Sequence, residues 1–415
     1  MRVRRAVGSL WTELTRQRGR PRRARDQRGV ALLLVLVTIA LLTIVIVEMQ
    51  ENAQVSLATG VNERDDMSAT YLARSGVSMA RLLLALGPTI NDALAQTPIG
   101  QIEIWQYADL LTEIFNTQEA ASGLGSLVGI DLGGAKGFGG FEGHFTVEIV
   151  DEDSRINLNL AARKQSQDLL ARELGGLFAP VIFDPIFDAR DARGDITDRE
   201  TLIGAIIDYV DTDTTLYGFE TGSEDTYYET LEDPYERKNA AMDSLEELHL
   251  VRGVGDDFWT AFVEPDPLDH TTRRMTVWGD GRINVNQAPP EVIASVICTL
   301  ATDPTTPVCD PQDPTAMQTL MVTLLSVREL FGGASVWSSV EEFVQSVNGG
   351  TGIEGEPSVQ IDAAQAKQLL KTSSQTFSIY ATAEVGRVVH RIHAVVVADR
   401  ANAESGGQLI YWREE

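Results

Sequence analysis

Five carboxylates, Asp211, Asp213, Glu220, Glu224 and Asp225, fall within fifteen residues and are interleaved with Gly218 and Gly222. Oxygen donors on a loop that glycine keeps pliable suit a hard divalent cation, because calcium takes six to eight oxygens from carboxylates and carbonyls. The spacing is not that of an EF-hand. Counted from Asp211, position six is Leu216 and position twelve is Gly222, where that loop needs glycine and a bidentate glutamate. An acidic loop that is simply solvated satisfies the same composition, so the residues alone leave both readings open.

The other reactive groups are sparse. Cys298 and Cys309 are the two cysteines. In an oxidising compartment they can close a short loop, contributing about 3 kcal/mol in the chain-entropy picture. A buried free Cys298 on the helix after Pro290 is the alternative. His144, His249, His270, His390 and His393 show no zinc spacing. His390 and His393 stand three apart on a predicted strand and so face opposite ways. There is no Gly-x-Ser-x-Gly elbow, and Gly133-Gly134-Ala135-Lys136 lacks the spacing that cradles phosphate. The chain reads as a non-enzyme.

Two stretches, Leu248–Gly255 and Ile283–Ile293, look like pieces of helix-hairpin-helix units. In nucleic-acid-binding versions the amides of a Gly-x-Gly turn hold a phosphate beside a basic side chain. Here Arg252 is offset at once by Asp256 and Asp257, and the second stretch lacks the turn. A helix-packing role without nucleic acid is the better reading. A membrane-tethered DNA-binding module is the alternative.

The elements that must position these groups begin with a charge asymmetry. Residues 1–29 hold ten arginines against Glu13 and Asp26, a net of +8, whereas the whole chain carries −26, which leaves −34 beyond Gly29. Such a body repels nucleic acid and anionic lipid. Val30–Val47 is an uncharged apolar run of 18 residues between Arg28 and Glu48, long enough to cross a bilayer. Basic residues before it place the N-terminus in the cytoplasm. A cleaved secretory signal would need a small-x-small site after the run, and Glu48-Met49-Gln50-Glu51 is a poor one. Helical spacing continues through Leu57, Val61, Leu72, Met79, Leu83 and Leu86, and Gly87-Pro88 is expected to end it.

Beyond that helix, residues 122–143 are glycine-dense and read as a loop. Phe145–Val150 alternates like a half-buried strand and Asp151–Ser154 turns it. Strands return over Thr376–Ala383, Val388–Ala398 and Gln408–Trp412. A mostly helical block of about 210 residues therefore interrupts one small sheet.

A basic leader, Gly29, and an apolar helix starting at Val30 resemble the type IV prepilin signal. Most members of that family carry glutamate at the fifth mature position, which here is Leu34. The K-type minor pseudopilins of bacterial type II secretion systems share that departure. The chain also resembles them in Asp151–Asn159, Asp208–Asp213, Gly218-Phe219-Glu220, Tyr227, Pro234-Tyr235, Asn239, Val251–Val254 and Ile283–Pro289.

The resemblance implies an α+β fold, a pilin-like long N-terminal helix packed on a small antiparallel sheet and interrupted by a large mostly helical inserted domain. It divides the chain into a leader (1–29), a transmembrane segment (30–48), a pilin-like periplasmic domain (49–160 and 373–415) and an inserted α-domain (161–372). It implies cleavage between Gly29 and Val30 by a prepilin peptidase, methylation of the new N-terminus, and single-pass residence in the inner membrane with a periplasmic body. A place at the pseudopilus tip follows, with I- and J-type minor pseudopilins, the major pseudopilin and an inner-membrane assembly platform as partners. It also implies calcium, with Asp211, Asp213 and Glu220 as ligands and Glu224, Asp225 and Asn239 as further candidates.

Overall fold

The computed structural model describes residues 28–94, 103–109, 112, 143–188, 190, 194, 196–218, 223–330, 335–350, 357–398 and 406–415. The chain divides into two units, Met1–Asp65 and Asp66–Glu415. Helix α1 (Arg28–Leu94) belongs to both. In the first unit its Val30–Val47 segment is exposed throughout, and the helix is apolar and long enough to cross a membrane. Gly87-Pro88 does not end α1, which carries Pro88 inside it. A proline removes one backbone hydrogen bond and crowds the carbonyl four residues back, but the turns around it remain helical when packing holds them.

In the second unit α1 packs through Ala69, Leu72, Ala73, Val77, Ala80, Leu83 and Leu84, the three- and four-residue spacing of one helical face. Leu72 and Leu83 were legible as core. Leu86 is exposed, and alanines fill much of the buried stripe. The reason is close approach. A Cβ added at Gly76 would stand 2.9 Å from Val147 Cγ2 and 3.1 Å from the Phe145 ring, so small residues let the helix lie on the sheet.

That sheet has four antiparallel strands in the order β1 (His144–Asp151), β6 (Thr376–Val385), β7 (Val388–Val397), β8 (Gln408–Glu414). Val147 pairs with Ala381, Ala381 with Ile392, and Ala394 with Trp412. Each strand runs a residue or two past its expected bounds, except that β7 stops at Val397. The predicted glycine-dense loop lies outside the described residues apart from Gly143.

Between β1 and β6 the chain builds a second apolar core. Its longer helices are α2 (Lys164–Phe178), α3 (Arg199–Val210), α4 (Pro290–Leu300) and α5 (Thr315–Leu330). Two parallel two-residue pairings, β2 (Ile156–Asn157) with β3 (Met275–Thr276) and β4 (Ile283–Asn284) with β5 (Leu370–Lys371), tie its ends together. The two Asn-x-Asn steps serve these pairings. Asn157 donates to the Trp278 and Gly279 carbonyls and Asn159 to those of Met242 and Val277. Asn286 donates to the Trp337 and Thr372 carbonyls. Each amide therefore pairs backbone groups that short strands leave over.

The inserted block also meets the sheet face opposite α1 in a stacked column. His270 lies on Tyr380 at 3.9 Å between ring centroids, and Tyr380 on His393 at 4.3 Å. His270 Nδ1 stands 2.8 Å from Glu148, and His393 Nε2 stands 3.1 Å from the Ser378 hydroxyl. Burial pushes the His393 pKa down to about 3. Both histidines are thus occupied in packing. Cys298, on α4, and Cys309 form a disulfide.

Candidate metal centre

The C-terminus of α3 brings Asp208 and Asp211 to one side of the chain, three residues apart. Asp211 is the C-cap and its amide bonds back to the Ile207 carbonyl. Glu224 enters from the far side of the acidic loop. One carboxylate oxygen from each of Asp208, Asp211 and Glu224 lies within 4.8 Å of the others, and all three residues are buried. No other such group of three occurs among the described residues.

The surroundings satisfy only part of this charge. Asp208 accepts from the Tyr217 amide at 2.8 Å, and Asp211 Oδ2 accepts from Gln167 at 3.0 Å. Asp211 Oδ1 and Glu224 Oε1 have no hydrogen-bond partner. Burial is the main reason the Asp208 carboxyl rises to about 7, with repulsion from Asp211 adding to it. Burial and then repulsion from Asp213 raise Asp211 to about 6. Buried carboxylates are costly unless charge of opposite sign offsets them; the Arg237 guanidinium, in contact with Glu224, supplies one positive charge against three carboxylates. The donors of the cluster are all oxygen, which suits a hard ion.

Backbone oxygens converge beside the carboxylates. The Asn239 side-chain amide stands 2.5 Å from the Asp211 carbonyl and 3.1 Å from that of Asp213. With its nitrogen turned toward them it donates to both. Asn239 holds φ at +53°, a left-handed conformation that asparagine tolerates better than most residues. Its own amide donates to the Tyr209 carbonyl at 3.2 Å, which fixes this segment against the end of α3.

The other expected ligands fall differently. The Asp213 carboxylate turns away, accepting from the Thr215 amide at 2.9 Å and pairing with Lys164 at 3.3 Å. Those contacts, the Thr215 amide first, hold its pKa below the usual carboxylate range. Only its carbonyl faces the cluster. Asp225 is half-exposed and bonds Arg237 at 2.8 Å. Glu220 lies outside the described residues. Asp208 is the residue that sequence reasoning passed over as a ligand, although its spacing to Asp211 at a helix end was the available signal.

The hairpin pieces show no phosphate seat. Gly253 takes φ of +82° and a Cβ there would meet Thr197 and Leu202, so its turn is built for packing. The Arg252 guanidinium lies 4.8 Å over the Tyr227 ring. At the other end of the chain, Gly29 and Val30 sit in the first turn of α1, with nothing within 4 Å of the Gly29 Cβ position.

Residues 154–263, which contain the whole cluster, match the family model described as type II secretion system (T2SS), protein K. No curated protein matches the chain in sequence. Among solved structures, the chain is similar to one in the crystal structure of the GspK-GspI-GspJ complex from the enterotoxigenic Escherichia coli type 2 secretion system. The identity is 14% and the TM-score 0.52, covering 86% of this chain and 99% of that one. At that identity the likeness speaks for the fold, and the family match speaks for residues 154–263. Residues 154–263 are thus similar to the type II secretion system protein K family, and the chain shares the fold of the solved GspK chain.

Proposed function

We propose that the chain is a mechanical subunit at the pseudopilus tip, anchored once in the inner membrane with its body in the periplasm. The observation that carries this reading is α1, one continuous helix that is bare and apolar over Val30–Val47 and packed on a sheet over Ala69–Leu84. Apolar surface of that extent needs lipid or other apolar helices around it. The solved complex unites GspK with GspI and GspJ, which supports the corresponding minor pseudopilins as partners here. The major pseudopilin, the assembly platform and the prepilin peptidase complete the proposed set. Leu34 fits a tip position, because a subunit with no neighbour above it has no partner N-terminus to neutralise.

The test is photo-cross-linking of the full chain in membranes that also contain the other minor pseudopilins. A probe at Leu41 should yield adducts with them. No adduct, together with retarded mobility of duplex DNA by the same protein, would move the assignment to the DNA-binding alternative.

We also propose that Asp208, Asp211 and Glu224 hold calcium, with the Asp211 and Asp213 carbonyls and Asn239 close by. Asp211 Oδ1 and Glu224 Oε1, buried and accepting no hydrogen bond, support this. The ion would supply charge neutralisation and would fasten the acidic loop to the end of α3.

A further inference from the structure

The buried acidic cluster already contains a cation, and it belongs to the chain. The Arg237 side chain is only 2% exposed and reaches into the space among the carboxylates. Its Nη1 contacts the Glu224 carboxylate and the Asp208 carbonyl, and it stands 3.9 Å from Asp211 Oδ1. Its Nε donates to Asp225 at 2.8 Å, and its Nη2 donates to the Asp213 carbonyl at 3.0 Å. A single planar fork thus collects two carboxylates and two backbone oxygens, as guanidinium is shaped to do.

We propose that Arg237 is a built-in counter-cation that competes with calcium, so that the ion must displace the guanidinium to gain its full set of oxygens. The proposal rests on the calcium reading above. While the guanidinium stays in place it occupies Glu224 Oε2 and a lone pair of the Asp213 carbonyl, which leaves an incoming ion Glu224 Oε1 and only part of that oxygen set. A divalent ion beside an unmoved guanidinium would also meet like charge at close range in a poorly solvated site. The consequence is a loop that keeps its fold without metal and binds calcium more weakly than its carboxylates alone would. The lone guanidinium faces three buried carboxylates, which is why an ion of higher charge can still win.

The experiment uses the full chain in detergent, stripped with chelator, as wild type, Arg237→Gln and Arg237→Lys. Calcium affinity is read by calorimetry and metal-free stability by thermal melting. Arg237→Gln should bind calcium at least about tenfold more tightly than wild type, the equivalent of about 1.4 kcal/mol. Without metal it should melt lower than wild type and recover on adding calcium. Arg237→Lys, which keeps a charge but loses the fork, should fall between the two. If Arg237→Gln does not fold without metal, circular dichroism takes over as the readout. Folding that returns with calcium supports competition, and a chain still unfolded at saturating calcium overturns it. Wild type that binds calcium while Arg237→Gln binds it equally or less well would defeat competition and leave the calcium site standing. Silence from both proteins would remove the site itself, and the proposal with it.

Discussion

The Asp153 carboxylate and the Lys371 ammonium meet 2.7 Å apart, both buried, where the chain leaves the pilin-like sheet and where it returns. Asp153 follows β1, and Lys371 ends β5 just before β6. The same Asp153 oxygen accepts from the Gln375 amide at 2.7 Å and the Thr376 amide at 3.0 Å. Lys371 in turn reaches Asp280 at 3.1 Å. A domain inserted in a sheet must bring its two ends back into register, and this pair does so by charge and hydrogen bonding.

Breaking that pair should therefore be expensive. Lys371→Met leaves a buried carboxylate without its cation, a change that typically costs about 3–5 kcal/mol. Denaturant unfolding measures it. A loss under about 1 kcal/mol would show that the backbone amides suffice to hold Asp153.

Glu173, on α2, is fully buried with neither carboxylate oxygen hydrogen-bonded. Burial raises its pKa from 4.5 to about 8. The folded state therefore keeps a proton that the unfolded chain releases. Its contribution to stability is full below pH 4.5 and declines as pH rises toward about 8. Glu173→Gln should be more stable than wild type at neutral pH and should flatten melting temperature against pH across that window. An unchanged slope would mean that Glu173 does not titrate differently in the two states.

The calcium site separates two neighbouring aspartates. Asp211→Asn should abolish the rise in melting temperature that calcium produces, because its carboxylate faces the cluster. Asp213→Asn should leave most of that rise, because its carboxylate faces Lys164 and only its carbonyl points inward. At an ion concentration 100 times Kd the wild-type gain should be about 2.7 kcal/mol. Equal losses in the two variants would contradict the geometry described here.

Replacing Cys298 and Cys309 together with serine removes a short cross-link and should cost about 3 kcal/mol of stability. Thiol labelling of the unreduced, denatured wild type should find no free cysteine. Two labelled thiols would place the disulfide in doubt.

Processing is checked by intact mass of the membrane-extracted chain. The expected species begins at Val30 and carries one added methyl group. Retention of residues 1–29, or cleavage beyond Val47, would remove it from the prepilin-type class.

Much of the architecture was legible because it rests on local regularities. An uncharged run of 18 residues, a helical period that continues past it, and strands at both ends of a helical block can each be read from residue spacing alone. The ordered motifs from Asp151 to Pro289 carried the resemblance for the same reason, since each is a short stretch with its own turn chemistry. Where the reading failed, the cause was non-local. Leu86 keeps the helical period but is exposed, whereas Ala69, Ala73, Gly76 and Ala80 join Leu72 and Leu83 in the face on the sheet, with Gly76 at the closest approach. The acidic loop was visible as a cation-binding stretch, but which of its carboxylates converge depends on where α3 ends and how the chain returns through Arg237 and Asn239. That return turns Asp213 outward, brings Asp208 in, and sets a guanidinium where a metal was expected. Spacing along the chain records which oxygens are available. Only packing across it decides which are buried together, because the repulsion and desolvation that make a cation necessary exist only once the tertiary structure has excluded water.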